Sequence, residues 1–143
     1  MASVSTYLNF VRNTEEAFMF YKKVFGTEFE GTGIMRMGDV PPQDGMPPLD
    51  PKDKNLVMHV SLPTIAGHVI MGTDAPESHG FKLNFGNNVH INLSPDTRKD
   101  TEKLFNALSA GGTVTMPLAD MFWGDYFGSC TDRFGVNWMF NCA

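Results

Sequence analysis

Cysteine is scarce in this 143-residue chain, with Cys130 and Cys142 its only two and no C-x-x-C pair between them. That excludes a disulfide framework, and the two read as reduced thiols packed like small hydrophobes. Concentrated positive charge is also missing. The 11 Lys and Arg residues are scattered, only "YKKV" and "RKD" set two side by side, and the formal net charge is −5. A phosphate backbone calls for a dense basic surface, so no nucleic-acid partner is expected. No run approaches the ~18 consecutive apolar residues of a membrane span. The start, "MASVSTYLNF", has neither the basic flank nor the long apolar run of a secretory leader. No membrane partner and a cytoplasmic location are therefore the expectation.

What is present suits a globular domain. Hydrophobic residues make up 42% of the chain and charged residues 19%, and a single domain of this size buries roughly 68–70% of the surface its unfolded chain exposes. The first segment, "STYLNFVRN", predicts a strand that hands over to a helix at "NTEEAFMFYKKVFG". Asn13 is the expected cap, Ala17, Phe20, Tyr21, Val24 and Phe25 the buried stripe, and Gly26 the left-handed stop. "TEFEGTGIMRM" alternates as a strand, and "GDVPPQDGMPPLDPKDKN" then forms a loop over residues 38–55, because its five prolines lack ladder donors. Such a loop is either a flap over a site or a tether. "LVMHVSLP" and "GHVIMGTD" predict two further strands.

After a connector at about 75–87 the order restarts. "NVHINL" predicts a strand with Val89, Ile91 and Leu93 on the helices and His90 with Asn92 on the other face. Ser94 and Pro95 suit a helix start, Thr101, Leu104, Phe105 and Leu108 its buried face, and Gly111 with Gly112 its end. Three strands follow at "TVTMPLAD", "YFGSCTD" and "VNWMFNC". Asp132 and Gly135 make the last hairpin turn, and Trp138 points to the helix side. The helix-ending glycines Gly26 and Gly111 stand 85 residues apart. The chain therefore reads as an α+β protein of two βαβββ modules, the first over about 5–74 and the second over about 88–142. Curved mixed sheets with one covered face each leave a cleft for a ligand.

Two stretches carry a family resemblance. "FYKKVFG" at 20–26 resembles the first-helix signature of the vicinal oxygen chelate superfamily, which includes glyoxalase I, extradiol dioxygenases and the fosfomycin- and bleomycin-resistance proteins. "FWGDYFGSCTDRFGVNWMFN" at 122–141, with "VMHV" at 57–60, is similar to the PhnB-like branch. The resemblance implies the glyoxalase-like paired-module fold and a homodimer. In metal-using members it also implies one ligand from the first strand and one from the last strand of each module. Carried over position by position, those places fall on Thr6 (or Leu8, if the register slips) and Met71, and on His90 and Met139. His90 alone matches the family's ligand pattern.

Thioethers add no charge to a divalent ion and prefer soft metals, so no metal or other cofactor is expected. The candidate pocket consists of His59, Met71, His90, Asn92, Trp123, Tyr126 and Met139, with Trp123, Tyr126, Phe122 and Phe127 as an aromatic wall and Asp125 beside it. His68 and His79 read as solvated turn residues. The leading expectation is a PhnB-like protein that binds a small organic molecule without a catalytic divalent metal. Its alternatives are a metal-dependent lyase, isomerase or dioxygenase using His59 and His90, and a drug-sequestering protein of the bleomycin-resistance type. The methyltransferase label common in the PhnB-like branch finds no support, because the chain lacks a glycine-rich strand-to-helix turn for S-adenosylmethionine. No Arg cluster marks a phosphonate site either.

Overall fold

A computed structural model describes all residues, Met1–Ala143. They divide into two compact units, Met1–Leu83 and Asn84–Ala143. The first contains β1 (Thr6–Phe10), α1 (Thr14–Phe25), β2 (Met35–Arg36), β3 (Val57–Pro63) and β4 (Val69–Asp74). The second contains β5 (Ile91–Leu93), α2 (Arg98–Ser109), β6 (Thr113–Asp120), β7 (Tyr126–Thr131) and β8 (Asn137–Cys142). Each unit is one βαβββ module with a four-stranded mixed sheet, ordered β1-β4-β3-β2 in the first and β5-β8-β7-β6 in the second. In each, the first strand runs parallel to the last, and the remaining neighbours are antiparallel. The fold is α+β, as the repeated pattern predicts.

Helix α1 is buried along Thr14, Ala17, Phe18 and Tyr21, a step around from the expected stripe, so that Phe18 and not Phe20 enters the core. The cause lies in the sheet. Gly72 of β4 leaves a slot for Phe18, and a Cβ there would stand 2.4 Å from Phe18 Cε1 and 3.0 Å from Thr14 Cγ2. The helix start also differs. Asn13 makes no side-chain cap; instead Oδ1 of Asp74, at the end of β4, accepts from Thr14 N at 3.1 Å and from Thr14 Oγ1 at 2.7 Å. Its other oxygen accepts from Val57 N at 2.8 Å. A carboxylate brought from a neighbouring strand thus meets the positive end of the helix dipole. Gly26 ends the helix at φ 66° as expected.

The second strand shrinks to two residues because Gly31 and Gly33 take φ values of 60° and 88°, which extended chain does not allow. The proline-rich loop is closed at its root: Met37 N donates to Leu56 O at 2.8 Å and Gly38 N to Lys54 O at 2.9 Å. Residues 41–48 between those contacts are exposed. Asp53, fully buried at the same root, accepts from Arg12 Nη1 at 2.9 Å and Ser78 Oγ at 2.8 Å. These bonds, with Arg12 contributing most and Ser78 next, hold the Asp53 carboxyl below the usual carboxylate range.

In the second unit, α2 buries Thr101, Leu104, Phe105 and Leu108 as its periodicity predicts. Its cap is Thr97, which accepts from Asp100 N at 3.1 Å. Ser94, the expected cap, accepts instead from Asn92 Nδ2 at 3.2 Å. Strand β5 begins at Ile91, and Val89 is exposed and packs on no helix. Ile91 and Leu93 pair with the buried Trp138 and Phe140, and Phe140 meets Phe105 of α2 edge-on at 5.2 Å. Asp132 closes the last hairpin, accepting from Phe134 N, Val136 N and Trp138 Nε1 at 2.8, 3.1 and 2.8 Å. That is the structural role its sequence position predicts. Strand β6, at the edge, is exposed almost throughout and carries Pro117, which an edge tolerates because no ladder donor is needed there.

Candidate functional site

Because side chains alternate across a strand, each sheet has one face under its helix and one free of it. In the first unit the helix face is fixed by Gly72 against Phe18. The register places Thr6 beside Ile70 and Leu8 beside Gly72, so both residues that could have supplied the first-strand position lie on the helix face. Tyr7 pairs with Met71, and Ser61 pairs with Met71 from the other side. The helix-free face therefore carries Tyr7, Met71 and Ser61. His59 joins them, its Nδ1 3.3 Å from the Tyr7 hydroxyl, the two rings 5.9 Å apart across β4. Ser5 donates to Met71 Sδ at 3.8 Å. Ser61, nearly buried, donates to Glu30 Oε1 at 2.8 Å.

The same geometry recurs in the second unit. Asn92 pairs with Met139, and Ser129 flanks Met139 from β7. Thr115 and Ser129 share a 2.7 Å hydrogen bond, Asn141 Nδ2 donates to Asp125 Oδ2 at 3.0 Å, and Trp123 meets Phe127 edge-on at 5.9 Å. His90 is half-buried and immediately precedes β5. The register equates Tyr7 with Asn92, hence Ser5 with His90, each one residue ahead of its strand. The first-strand position that Thr6 was expected to fill belongs to Ser5.

The expected aromatic wall is divided. Phe127 faces away from α2, but Tyr126, one residue earlier, faces α2, donating to Glu102 Oε1 at 3.0 Å with the Arg98 guanidinium 4.7 Å from its ring centroid. Arg98 is also paired with Asp120. Burial, then the Glu102 hydrogen bond, raises the Tyr126 phenol above its ordinary range. Trp123 is half-exposed and Phe122 almost wholly so. His68 and His79 are not simply solvated turn residues: His68 Nε2 lies 2.9 Å from Thr6 Oγ1, and His79 Nε2 lies 3.8 Å from Asp53 Oδ2. Cys130 and Cys142 are buried free thiols, and burial pushes the Cys130 thiol up to about 12.

Tyr7, Ser5 and the Ser61–Glu30 pair were not among the residues picked out in the sequence. The available signal was Tyr7 itself, a polar-tipped aromatic on the face of "STYLNF" opposite Phe10. At the positions where a metal-using relative would place ligands, the first unit offers a hydroxyl and a thioether and the second an imidazole and a thioether. Neither pair by itself fits a divalent metal, since a thioether adds no charge and prefers soft ions, and each pair lacks an anionic ligand. No three His, Cys, Asp or Glu side chains gather in a metal-holding group. No helix is long and apolar enough to cross a membrane.

Two βαβββ modules, each with its first strand parallel to its last and one helix on one sheet face, define a paired-module α+β protein of the glyoxalase-like class. Residues 4–140 match the model of the Glyoxalase/Bleomycin resistance protein/Dioxygenase superfamily, and the chain belongs to that superfamily. It is 28% identical to protein YjdN of Escherichia coli over 143 residues, covering 96% of this chain and 93% of that one. An uncharacterized protein of Mycobacterium bovis is 31% identical over 134 residues, covering 90% and 75% of the two chains. Among solved structures, protein PA1353 of Pseudomonas aeruginosa superposes with a TM-score of 0.81 at 35% identity, covering 99% of this chain and 98% of that one. The PhnB protein of Bacillus cereus shares the fold with a TM-score of 0.74 at 24% identity, over 99% and 100% of the two chains.

Proposed function

We propose that this protein is a PhnB-like small-molecule-binding protein whose helix-free sheet faces receive an organic ligand without a catalytic divalent metal. One observation carries the reading: Ser5 with Met71, and His90 with Met139, occupy the first-strand and last-strand positions of the two modules. In each unit a flexible thioether on the helix-free face, with Tyr7 beside it in the first and Phe127 and Trp123 near it in the second, supports an adaptable apolar lining with few polar anchors. His59, His90 and Asn92 are those anchors. In the same reading the protein acts in the cytoplasm as a homodimer, a state that sedimentation equilibrium measures directly.

Metal analysis of protein purified without chelator tests the proposal, with the metal content expected to be far below one ion per chain. Near-stoichiometric Ni, Zn, Mn or Fe would sink it in favour of a metal-dependent lyase, isomerase or dioxygenase using His59 and His90. In parallel, methyl spectra of methionine-labelled protein titrated with small carboxylates, amines and alcohols are expected to reveal binders that shift Met71 and Met139. A library that moves neither methyl group overturns the binding role.

A further inference from the structure

We infer that Tyr7 and His59 act as one recognition pair that selects an organic molecule bearing a carboxylate or carbonyl oxygen, received by the Nε2–H of His59. This rests on the reading of the first unit's helix-free face as a ligand site, and names the ligand class for it. The pair comes from strands on either side of β4, Tyr7 from β1 and His59 from β3, and they meet above Met71 and Thr73 with the hydroxyl 3.3 Å from Nδ1. Neither side chain has a further hydrogen-bond partner in the protein.

A neutral imidazole has one donor nitrogen and one acceptor, and the bond made by one nitrogen sets the role of the other. A phenol, with an ordinary pKa of ~10, is a far better acid than a neutral imidazole N–H. The stronger arrangement therefore has Tyr7 donating to Nδ1, which leaves the proton on Nε2 and turns a donor toward the ligand. The hydroxyls nearby are already committed, Ser61 to Glu30 and Ser5 to Met71. The Met71 thioether and the half-exposed Tyr7 ring lie next to the pair and supply an apolar surface for the body of the same molecule.

The test uses the full chain and two probes of matched shape, benzoate and benzylamine. Long-range proton–nitrogen spectra recorded at alkaline pH, where imidazole is neutral, are expected to show Nδ1 of His59 bare and Nε2 protonated. Benzoate is expected to shift His59 Nε2 and the Met71 methyl, and to bind more tightly than benzylamine. Tyr7→Phe should weaken benzoate by roughly three- to tenfold, the worth of one hydrogen bond, and His59→Gln by at least as much. A proton on Nδ1, tighter binding of benzylamine, or unchanged benzoate affinity in both variants overturns the inference while leaving a ligand site in place. If neither probe nor any member of the wider library moves Met71, the first unit's site is absent and the inference falls with it, whereas the binding role falls only if Met139 is unmoved as well.

Discussion

Asp74 holds the start of α1 from outside the helix: its Oδ1 accepts from both the amide and the hydroxyl of Thr14, and its Oδ2 ties the same carboxylate to Val57. One buried side chain thus joins the last strand of the module, its helix and β3. Replacing it with alanine strands two backbone donors in the core, and Asp74→Ala is expected to cost about 2–3 kcal/mol. Urea unfolding measures the loss. Asp74→Asn, which keeps one acceptor oxygen and the shape, should lose clearly less.

Gly72 leaves no room for a side chain beneath Phe18. A methyl group at Gly72 meets the Phe18 ring at 2.4 Å, so Gly72→Ala is expected to cost about 1–3 kcal/mol through overpacking. Phe18→Leu opens space at the same point. In the double variant the two penalties should not add, and a thermodynamic cycle over the four proteins reads that coupling.

Acid should loosen the root of the proline-rich loop. The Asp53 carboxyl is held below its ordinary value, first by the Arg12 hydrogen bond and then by that of Ser78. A lowered folded-state value means the stabilisation is fully present above the unfolded value of ~3.9 and disappears as pH falls through the folded value. Wild-type protein is therefore expected to lose more stability than Asp53→Asn between pH 6 and the acid range. Urea midpoints across that window give the comparison, and equal losses would show the bonds to contribute nothing.

Thiol chemistry should report unfolding. Cys130, on β7, is wholly buried with its thiol pushed up to about 12, and Cys142, on β8, is also buried. Thiolate is the reactive form, so at pH 8 the folded protein should label orders of magnitude more slowly than unfolded chain. Labelling rate should rise with urea in step with global unfolding. Rapid labelling of native protein would contradict the burial.

The parts of the fold legible in the sequence were those set by local periodicity. The stripe of Thr101, Leu104, Phe105 and Leu108, the stop at Gly26 and the turn at Asp132 and Gly135 all follow from near neighbours. Where distant chain decides, local pattern does not suffice. Phe18 is core because Gly72, far along the chain, leaves room for it, and Asp74 displaced Asn13 as the cap. Tyr126 and Phe127 suggest one wall because both are aromatic, yet adjacent strand residues face opposite ways, and only Phe127 faces away from α2. The Tyr7–His59 contact spans 52 positions and depends on β4 lying between them, a pairing no local pattern encodes.

The closed root of the proline-rich loop has a consequence for change over time. With Gly38 bonded to Lys54 and Asp53 locked to Arg12, the sheet does not depend on what lies between. Doubling the length of such an excursion adds only about 0.6 kcal/mol of closure entropy. Residues 41–48 are thus the place where this chain can accept insertions, deletions or a grafted segment while Asp74, Tyr7 and His59 keep their positions.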